Sequence, residues 1–264
     1  MGVTGEELLR VFHEQVRVAD RDVVPGWLSE RVGKVYRSYN EGDTDVQGFV
    51  EAPSGLDDPD AEIAAQREFF AARGQAVEWK TYGYDEPADL PDRLVAAGFV
   101  AEEPESLILG EVARIVEQPL SLPSKVRIRD VGSREDFQRI GELQQAVWGK
   151  DAGQFTTKLY DELLADPDRL EVSLVEEAWG GPALTAAWVR YHPGTDFASL
   201  WGGATRPEWR RQGLYRALLR HRALKAAGRG YKYLRVDASE DSRPILERVG
   251  LLKVATTTPY VYTP

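Results

Sequence analysis

The sequence has no cysteine among its 264 residues, which excludes disulfides, a thiol nucleophile and a zinc–thiolate site. Only three histidines occur, His13, His192 and His221, and their separations predict no metal cluster. No apolar run approaches the length of a membrane span. The opening MGVTGEELLRVF has neither the basic region nor the small-residue cleavage site of a signal peptide, so a cytoplasmic location is expected.

Positive charge is also scarce, because 43 Asp and Glu residues outnumber 33 Lys and Arg residues and leave a net charge of -10. This balance argues against a general nucleic-acid-binding function. An acidic surface favours a cationic small molecule, although only weakly at physiological salt. The simpler interpretation of the charge is solubility, since 42% hydrophobic and 29% charged residues are typical of a globular chain.

The order of predicted elements divides the chain into two domains, residues 1–113 and 126–264. Between them, RIVEQPLSLPSK (114–125) has two prolines and no periodicity, which is typical of a linker. Hydrophobic periodicity predicts first-domain helices at 4–18, 27–36, 60–73 and 89–98, with strands at 47–53, 76–84 and 105–113. It predicts second-domain strands at 126–131, 170–179, 183–192, 196–205, 231–239 and 251–263, with helices at 133–148, 154–166, 214–227 and 242–250.

The two halves resemble each other near their ends. RLVAAGF (93–99) and ILERVGL (245–251) each place a leucine four residues before a glycine that leads into a predicted strand. In both halves a strand precedes this helix, and a helix ending in glycine precedes that strand. So short a match is weak evidence for a repeat on its own, but the shared order of elements strengthens it.

The stretch TRPEWRRQGLYRALL (205–219) places arginines around a glycine at the start of a predicted helix. The first turn of a helix normally prefers acidic residues, because it carries the positive end of the helix dipole. A phosphate group can satisfy the free N–H groups there, and Gly213 lets such an anion approach the backbone. The alternative is a strand-to-helix turn with exposed arginines and no ligand.

The segment ATRPEWRRQGLYRALL (204–219) resembles the cofactor-binding motif of the GNAT acetyltransferases, which is roughly V-x-P-x-x-R-x-x-G-x-G/A after the fourth strand. Pro207, Arg210 and Gly213 match the motif, whereas Thr205 replaces valine and Tyr215 replaces a small residue. The resemblance covers about residues 126–262. It implies a mixed α/β (α+β) fold of two GNAT-like domains, each a mostly antiparallel sheet flanked by helices.

The same resemblance implies that acyl-CoA, in the first instance acetyl-CoA, is the cofactor. Its pyrophosphate would rest on the backbone amides of the turn, and its pantetheine arm would pair with the end of the preceding strand. The glycines of WGGAT suit that role, because paired glycines in a strand often mark a bulge or a close backbone approach. The residues implied in cofactor binding are Gly203, Ala204, Thr205, Arg210, Arg211, Gln212, Gly213, Leu214, Tyr215 and Arg216.

The family often uses the tyrosine of a motif N-x-x-A-x-x-x-Y-x-x-x-G-F, which aligns here with its glycine at Gly250, as the acid that protonates the leaving thiolate. Leu246 occupies that position here, so a different group is expected to serve. Tyr260 and Tyr262 are the first candidates for this general acid, and Asp237 and Ser239 are the second. Both tyrosines are expected on one side of the last strand. The alternative to a catalytic role is that both only pack beside the sheet, because tyrosine is a favoured strand residue.

Glu176 is a further candidate, as a base that acts through water. The first half lacks an equivalent turn, since its corresponding helix begins after SGLDDPDAEI (54–63), whose carboxylates would repel a pyrophosphate. This half is therefore interpreted as a degenerate GNAT-like domain without a cofactor.

These observations favour an acyl-CoA-dependent N-acetyltransferase that acts on a primary amine of a small molecule or peptide, with no metal. A non-catalytic acyl-CoA-binding or sensing protein is one alternative, because the usual tyrosine is absent. A scaffold or interaction protein without a ligand is the other. No nucleic-acid or membrane partner is expected.

Overall fold

The computed structural model describes residues 2–19, 26–119 and 122–264. The chain divides into two compact units, which differ from the predicted domains. The first unit comprises Met1–Ile108, Asp237–Pro244 and Leu252–Pro264, and the second comprises Leu109–Val236 and Ile245–Leu251. The last segment of the chain, predicted in the second domain, therefore belongs to the first unit.

The predicted linker (114–125) is only partly irregular. It begins inside helix α4 (Val112–Val116), and residues 120–121 lie outside the described residues. Val112 and Ile115 of this helix are buried, which explains why the segment carries apolar residues despite its two prolines.

Among its described residues, the first unit contains three helices and six strands, and a seventh strand ends in the second unit. The helices are α1 (Gly5–Phe12), α2 (Pro59–Ala72) and α3 (Leu90–Ala96), and α1 continues as one π-helical turn over His13–Arg17. The strands are β1 (Trp27–Val32), β2 (Val35–Asn40), β3 (Gly48–Glu51), β4 (Val77–Tyr82), β5 (Val100–Ala101) and β12 (Leu252–Tyr262). β6 (Glu105–Glu111) crosses the boundary between the two units.

The helix predicted over 27–36 is wrong, because these residues form the antiparallel hairpin of β1 and β2. Its two-residue turn, Gly33 and Lys34, depends on a positive φ of 61° at Gly33, which glycine adopts without steric cost. β2 buries Val35, Tyr36 and Tyr39, and β-branched and aromatic residues of this kind favour a pleated strand.

In the first unit the strand order is β1-β2-β3-β4-β12. All these pairs are antiparallel except β3 and β4, which α2 connects as a parallel crossover. β12 pairs with β4 from Thr257 opposite Tyr82 to Tyr262 opposite Val77, and β5 adds a short pairing to β12. The core between sheet and helices includes Trp79, Phe70 and Leu94, each fully buried.

The second unit has two long helices on one side of its sheet and one on the other. Its strands are β7 (Val126–Val131), β8 (Leu170–Glu177), β9 (Thr185–Tyr191), β10 (Phe197–Thr205) and β11 (Tyr233–Ala238), of which β11 ends in the first unit. Its helices beyond α4 are α5 (Arg134–Trp148), α6 (Gly153–Ala165), α7 (Leu214–Gly228) and α8 (Arg243–Arg248), of which α8 begins in the first unit.

The strand order here is β11-β10-β9-β8-β7, antiparallel except for the parallel pair of β10 and β11. Helices α5 and α6 cover one face through residues such as Phe137 and Leu159. Helix α7 covers the other face, where Leu214 and Leu218 pack on Val175. The predicted fold class, a mixed α/β fold with mostly antiparallel sheets flanked by helices, is confirmed.

The sequence similarity between residues 93–99 and 245–251 corresponds to one backbone motif. Gly98 and Gly250 follow their helices with φ of 92° and 96°. The residue after each glycine donates its N–H to the leucine carbonyl five residues earlier, Phe99 to Leu94 at 3.0 Å and Leu251 to Leu246 at 3.1 Å. Both helices therefore end in the same glycine cap. Within the described residues, no helix combines the length and apolar character needed to cross a bilayer.

Candidate cofactor and catalytic site

The end of β10 is open on one edge. β10 pairs with β11 only over Phe197–Ser199, whereas its pairing with β9 continues to Thr205. The fourth and fifth strands of this unit thus diverge after Ser199. The divergence leaves the backbone N–H and C=O groups of one edge of β10 beyond the reach of β11.

Two glycines form an irregularity on this open stretch. The register between β10 and β9 shifts between Gly202 and Ala204, and both Gly202 and Gly203 have positive φ, 74° and 102°. A Cβ on Gly202 would lie 2.4 Å from the Trp188 ring, and one on Gly203 would lie 2.8 Å from the Tyr215 ring. The strand can follow this path only because neither residue has a side chain.

The turn between β10 and α7 exposes an unusual backbone. Arg211 has a φ of 61°, the one positive value at a non-glycine residue in the described chain. Gly213 follows with a φ of 86° as the N-cap of α7, and no side chain caps this helix. Left-handed residues in a turn can direct backbone N–H groups toward a common side, which suits an anion. Such strain is typical of functional sites.

Arginines surround this turn without carboxylate partners. Arg206 and Arg210 donate from Nε to the backbone carbonyls of Ala183 and Thr205, at 2.8 and 3.2 Å. Neither they nor Arg211 and Arg216 form an ion pair within the described part of the chain, whereas many other arginines do. In a chain of net charge -10, this concentration of uncompensated cations favours a negatively charged ligand.

The residues predicted to bind the cofactor include buried residues, an exposed residue and a tyrosine whose ring packs against the strand. Thr205 is buried and bonds Thr185 at 2.9 Å, and Ala204 and Leu214 lie in the core, so only their backbone could meet a ligand. Gln212 is exposed and donates to the Glu208 carbonyl at 3.0 Å. The ring of Tyr215 packs toward Gly203, and its burial raises the pKa of the Tyr215 phenol.

The corresponding helix of the first unit begins differently. At the N-terminus of α2, the Asp58 carboxylate accepts a hydrogen bond from the Ala61 N–H at 3.2 Å, and Asp60 pairs with Arg93 at 2.8 Å. This helix thus satisfies its N-terminal groups with its own carboxylates. The contrast with α7 supports the interpretation that only the second unit binds a phosphate group.

Comparison with known proteins depends on structure alone, since no family model and no curated protein matches the sequence. A GCN5-related N-acetyltransferase from Kribbella flavida is similar with a TM-score of 0.66 and 17% identity, over 100% of this chain and 97% of that one. A tandem GNAT protein from the clavulanic acid biosynthesis pathway gives 0.65 and 10%, over 99% and 97%. A GCN5-related N-acetyltransferase from Sphaerobacter thermophilus gives 0.61 and 15%, over 87% and 76%.

The chain has the fold of the GNAT acetyltransferases. At these identities the likeness shows the GNAT fold and no particular activity or substrate. Its coverage extends over nearly the full length of a tandem GNAT protein, in agreement with the two units and their repeated glycine-capped helices.

The two tyrosines predicted as acids lie in the first unit, whereas the turn lies in the second. Tyr260 is 7% exposed and belongs to the core of the first unit beside Trp79. Tyr262 lies on the same side of β12 and contacts Phe99, with 5.4 Å between ring centroids. They share a face, as predicted, but that face packs on the first unit's core, which corresponds to the alternative of a packing role.

Asp237 and Ser239, the reserve candidates, also lie in the first unit. Asp237 forms an ion pair with Lys80 at 3.0 Å. Ser239 lies on the wall of a cavity of about 750 Å³ whose other lining residues include Glu102, Glu103 and Glu240. The chemistry of this cavity favours a cation over an anion.

The prediction of Glu176 as a base does not fit its surroundings. Its carboxylate is 1% exposed and pairs with Arg127, Arg129 and Arg139 at 2.7, 2.9 and 2.6 Å. Burial alone would raise the pKa of Glu176, but these hydrogen bonds outweigh it and lower the pKa to about 2. A carboxylate so firmly ionised is a poor proton acceptor, and we assign Glu176 a structural role.

Two further residues of the second unit, Leu246 and Arg222, are buried. Leu246, at the position of the usual tyrosine, is fully buried and has no proton to donate. Arg222 was not predicted to matter, yet it is buried in α7 against β9 and β10. The sequence did carry a signal for it, because Arg222 falls four residues after Leu218 on the apolar stripe of the helix.

Proposed function

We propose that the protein is an acyl-CoA-dependent N-acyltransferase that transfers an acyl group, acetyl in the first instance, to a primary amine of a small molecule or peptide. The observation that carries this proposal is the uncapped N-terminus of α7, with the positive φ of Arg211 and Gly213 and unpaired arginines around it. The GNAT fold supports it, because the similar structures include proteins described as N-acetyltransferases.

The residues of the turn would hold the CoA pyrophosphate through the backbone N–H groups of Gln212, Gly213, Tyr215 and Arg216. The side chains of Arg211 and Arg216 are exposed and would supply positive charge. The open edge of β10 would accept the amide groups of the pantetheine arm as an added strand. When bound, the cofactor supplies an activated thioester.

The chain's own contribution to the reaction is then chiefly orientation. Holding an amine against a thioester carbonyl converts a bimolecular step into an effectively unimolecular one. A general acid would add to this, and we retain Tyr262, Asp237 and Ser239 as candidates, with Tyr260 as a residue of the core. Turnover of Tyr260→Phe and Tyr262→Phe tests both tyrosines, since loss of a general acid costs on the order of 100-fold.

The proposed cofactor site is tested by Gly213→Val. We expect this variant to weaken CoA binding by at least ~10-fold in isothermal titration calorimetry, because the side chain blocks the approach of the pyrophosphate. Gly194→Val is the matched control, since Gly194 has a comparable φ of 77° and open space around it. CoA affinity that is equal in the parent and both variants would exclude this site.

A non-catalytic acyl-CoA-binding protein is the second candidate, favoured by the buried Leu246 in place of the usual tyrosine. Release of thiol from acetyl-CoA in the presence of a library of amines distinguishes the two. Amine-dependent release supports the transferase, whereas tight acetyl-CoA binding without release for any amine supports the binding protein.

A further inference from the structure

Arg222 is a charged side chain in the interior of the second unit. It is 2% exposed, and among the described residues its guanidinium hydrogen-bonds backbone carbonyls only. Nε donates to Leu218 at 3.3 Å, and Nη1 donates to both Trp188 and Trp201 at 3.2 Å. These two tryptophans face each other on β9 and β10, immediately before the Gly202 irregularity.

This buried charge has no counterion. No carboxylate lies within ion-pair distance of Arg222 in the described part of the chain. The other fully buried arginine, Arg17, has two, since Asp85 lies at 2.7 Å and Glu51 at 3.4 Å. Burial lowers the pKa of Arg222 to about 10, which reflects the cost of holding its charge away from water. Retaining an uncompensated buried cation is expensive, which favours a function for it.

The hydrogen-bond pattern of β10 indicates where this charge acts. His192 donates its N–H to the carbonyl of Phe197 at 3.3 Å, which fixes the alternation of the antiparallel ladder. Every second residue from Phe197 onward therefore directs its backbone N–H and C=O toward β9, and Trp201 is one of them. This agrees with the hydrogen bonds that Arg222 donates to both the Trp201 and the Trp188 carbonyls. The N–H of Gly202 belongs to the same planar peptide as the Trp201 carbonyl and points the opposite way.

The Gly202 N–H therefore lies on the open edge of β10, beyond the last residue that pairs with β11. The Trp201 carbonyl of the same peptide accepts a hydrogen bond from Arg222, a buried cation in a site of low dielectric. A charge at the carbonyl end withdraws electron density from the peptide and makes its N–H a stronger donor.

We propose that Arg222 is a positioning residue for acyl transfer, which fixes and polarises the Trp201–Gly202 peptide so that the Gly202 N–H donates to the thioester carbonyl oxygen. This inference rests on the proposed function. The amine nitrogen forms a bond to the carbonyl carbon, and the carbonyl π pair moves to oxygen, where the N–H stabilises it. As that pair returns, the carbon–sulfur bond breaks and its electrons leave with sulfur. The amine proton passes to solvent, and the thiolate takes a proton from solvent.

The experiment is isotope-edited infrared spectroscopy of acetyl-CoA labelled with ¹³C at the carbonyl and bound to the full-length protein. The carbonyl stretch of the bound thioester should lie below that of free acetyl-CoA, because hydrogen bonding weakens the carbonyl bond. In Arg222→Met the frequency should return toward the free value, while affinity for CoA without an acyl group changes less than about 3-fold. With an acceptor in hand, kcat should fall about 10-fold with little change in KM.

Arg220→Met is the matched control. Arg220 lies on the same helix and also donates to a backbone carbonyl, that of Val116 at 2.9 Å, but forms no hydrogen bond with β10 in the described structure. It should leave the frequency unchanged. If Arg222→Met does not fold, Arg222→Gln decides the question, because its amide can still donate to a carbonyl but carries no charge.

A parental carbonyl frequency in a folded, acetyl-CoA-binding Arg222→Met or Arg222→Gln variant would overturn the role of Arg222. That result is distinct from failure of the proposed function, in which the parent protein itself does not bind acetyl-CoA.

Discussion

At the scale of single residues, the buried Glu176 and the partly buried Glu78 have opposite pKa shifts and opposite consequences for stability. Glu176 is surrounded by three arginines, which lower its pKa to about 2. Glu78, on β4, has its pKa raised to about 7 by burial, against the opposing effect of Lys80 and with added repulsion from Glu102. Each shift predicts a dependence of folding free energy on pH.

Glu176 binds its proton more weakly in the folded state than in the unfolded state. The stability it contributes is present above the unfolded pKa, near 4.5, and is lost as pH falls toward 2. Glu176→Gln should lower the free energy of unfolding by about 3 kcal/mol at pH 7, because it removes the buried carboxylate charge that Arg127, Arg129 and Arg139 share and leaves only Asp136 to pair with two of them. Urea unfolding should show this deficit narrowing below pH 4.5. Glu177→Gln, one residue along β8, is the control, and an equal deficit for both variants at pH 7 would contradict the prediction.

Glu78 behaves in the opposite sense, because its folded pKa lies above the unfolded value. Its favourable contribution is complete below about pH 4.5 and is lost as pH rises through 7. Glu78→Gln should therefore match the parent near pH 4.5 and be more stable by about 2 kcal/mol at pH 8, after allowance for its partial exposure. Chemical unfolding at the two pH values measures this, with the exposed Glu68→Gln as the control for loss of a charge. A parent that is the more stable protein at pH 8 would refute it.

At the scale of elements, most helices and most strands could be predicted from periodicity, capping residues and glycines, whereas α4 lies in a segment predicted as the end of a strand and a linker. Ser133 caps α5 by accepting from the Asp136 N–H, and the glycines after α3 and α8 end those helices as the sequence similarity between residues 93–99 and 245–251 indicates. The segment 27–36 was misassigned, because a short apolar run fits a helix and a strand almost equally and only its tertiary pairing decides. The turn before α7 could be predicted, since its backbone conformation and its charges are both local properties.

The irregularity in β10 is an element-scale feature that depends on the contact between Gly202 and Trp188. Gly202→Ala should cost about 2–3 kcal/mol of stability, from its positive φ and from a Cβ placed 2.4 Å from the Trp188 ring. In a Trp188→Leu background the same substitution should cost only about 1 kcal/mol, the part that depends on φ. Urea unfolding of the four proteins in this double-mutant cycle measures the coupling. An identical cost in both backgrounds would show that the ring does not limit this position.

At the scale of the whole molecule, the composition of the two units could not be predicted from chain order. A strand that pairs with a segment about 175 residues earlier leaves no local signal in sequence. This pairing changes the assignment of one candidate catalytic residue. Chain order predicts Tyr260 in the second domain, but β12 pairs with β4 and buries Tyr260 in the core of the first unit. The helical period of α7 places Arg222 on the apolar stripe, but no sequence pattern reports the backbone carbonyls of Trp188 and Trp201 that it contacts on β9 and β10.

This division predicts how the first unit depends on the last strand. A fragment of residues 1–113 lacks β12, so β4 loses its partner from Val77 to Tyr82 and Trp79 loses its neighbour Tyr260. We expect no cooperative thermal unfolding transition for this fragment in circular dichroism. Fusing residues 252–264 to it through a flexible linker of about 12 residues should restore a transition, because the strand can then pair in its native register. The same fusion with Tyr260→Asp should not, since it places a charge in the core. A cooperative transition in the unfused fragment would show that residues 1–113 fold as the independent domain suggested by chain order.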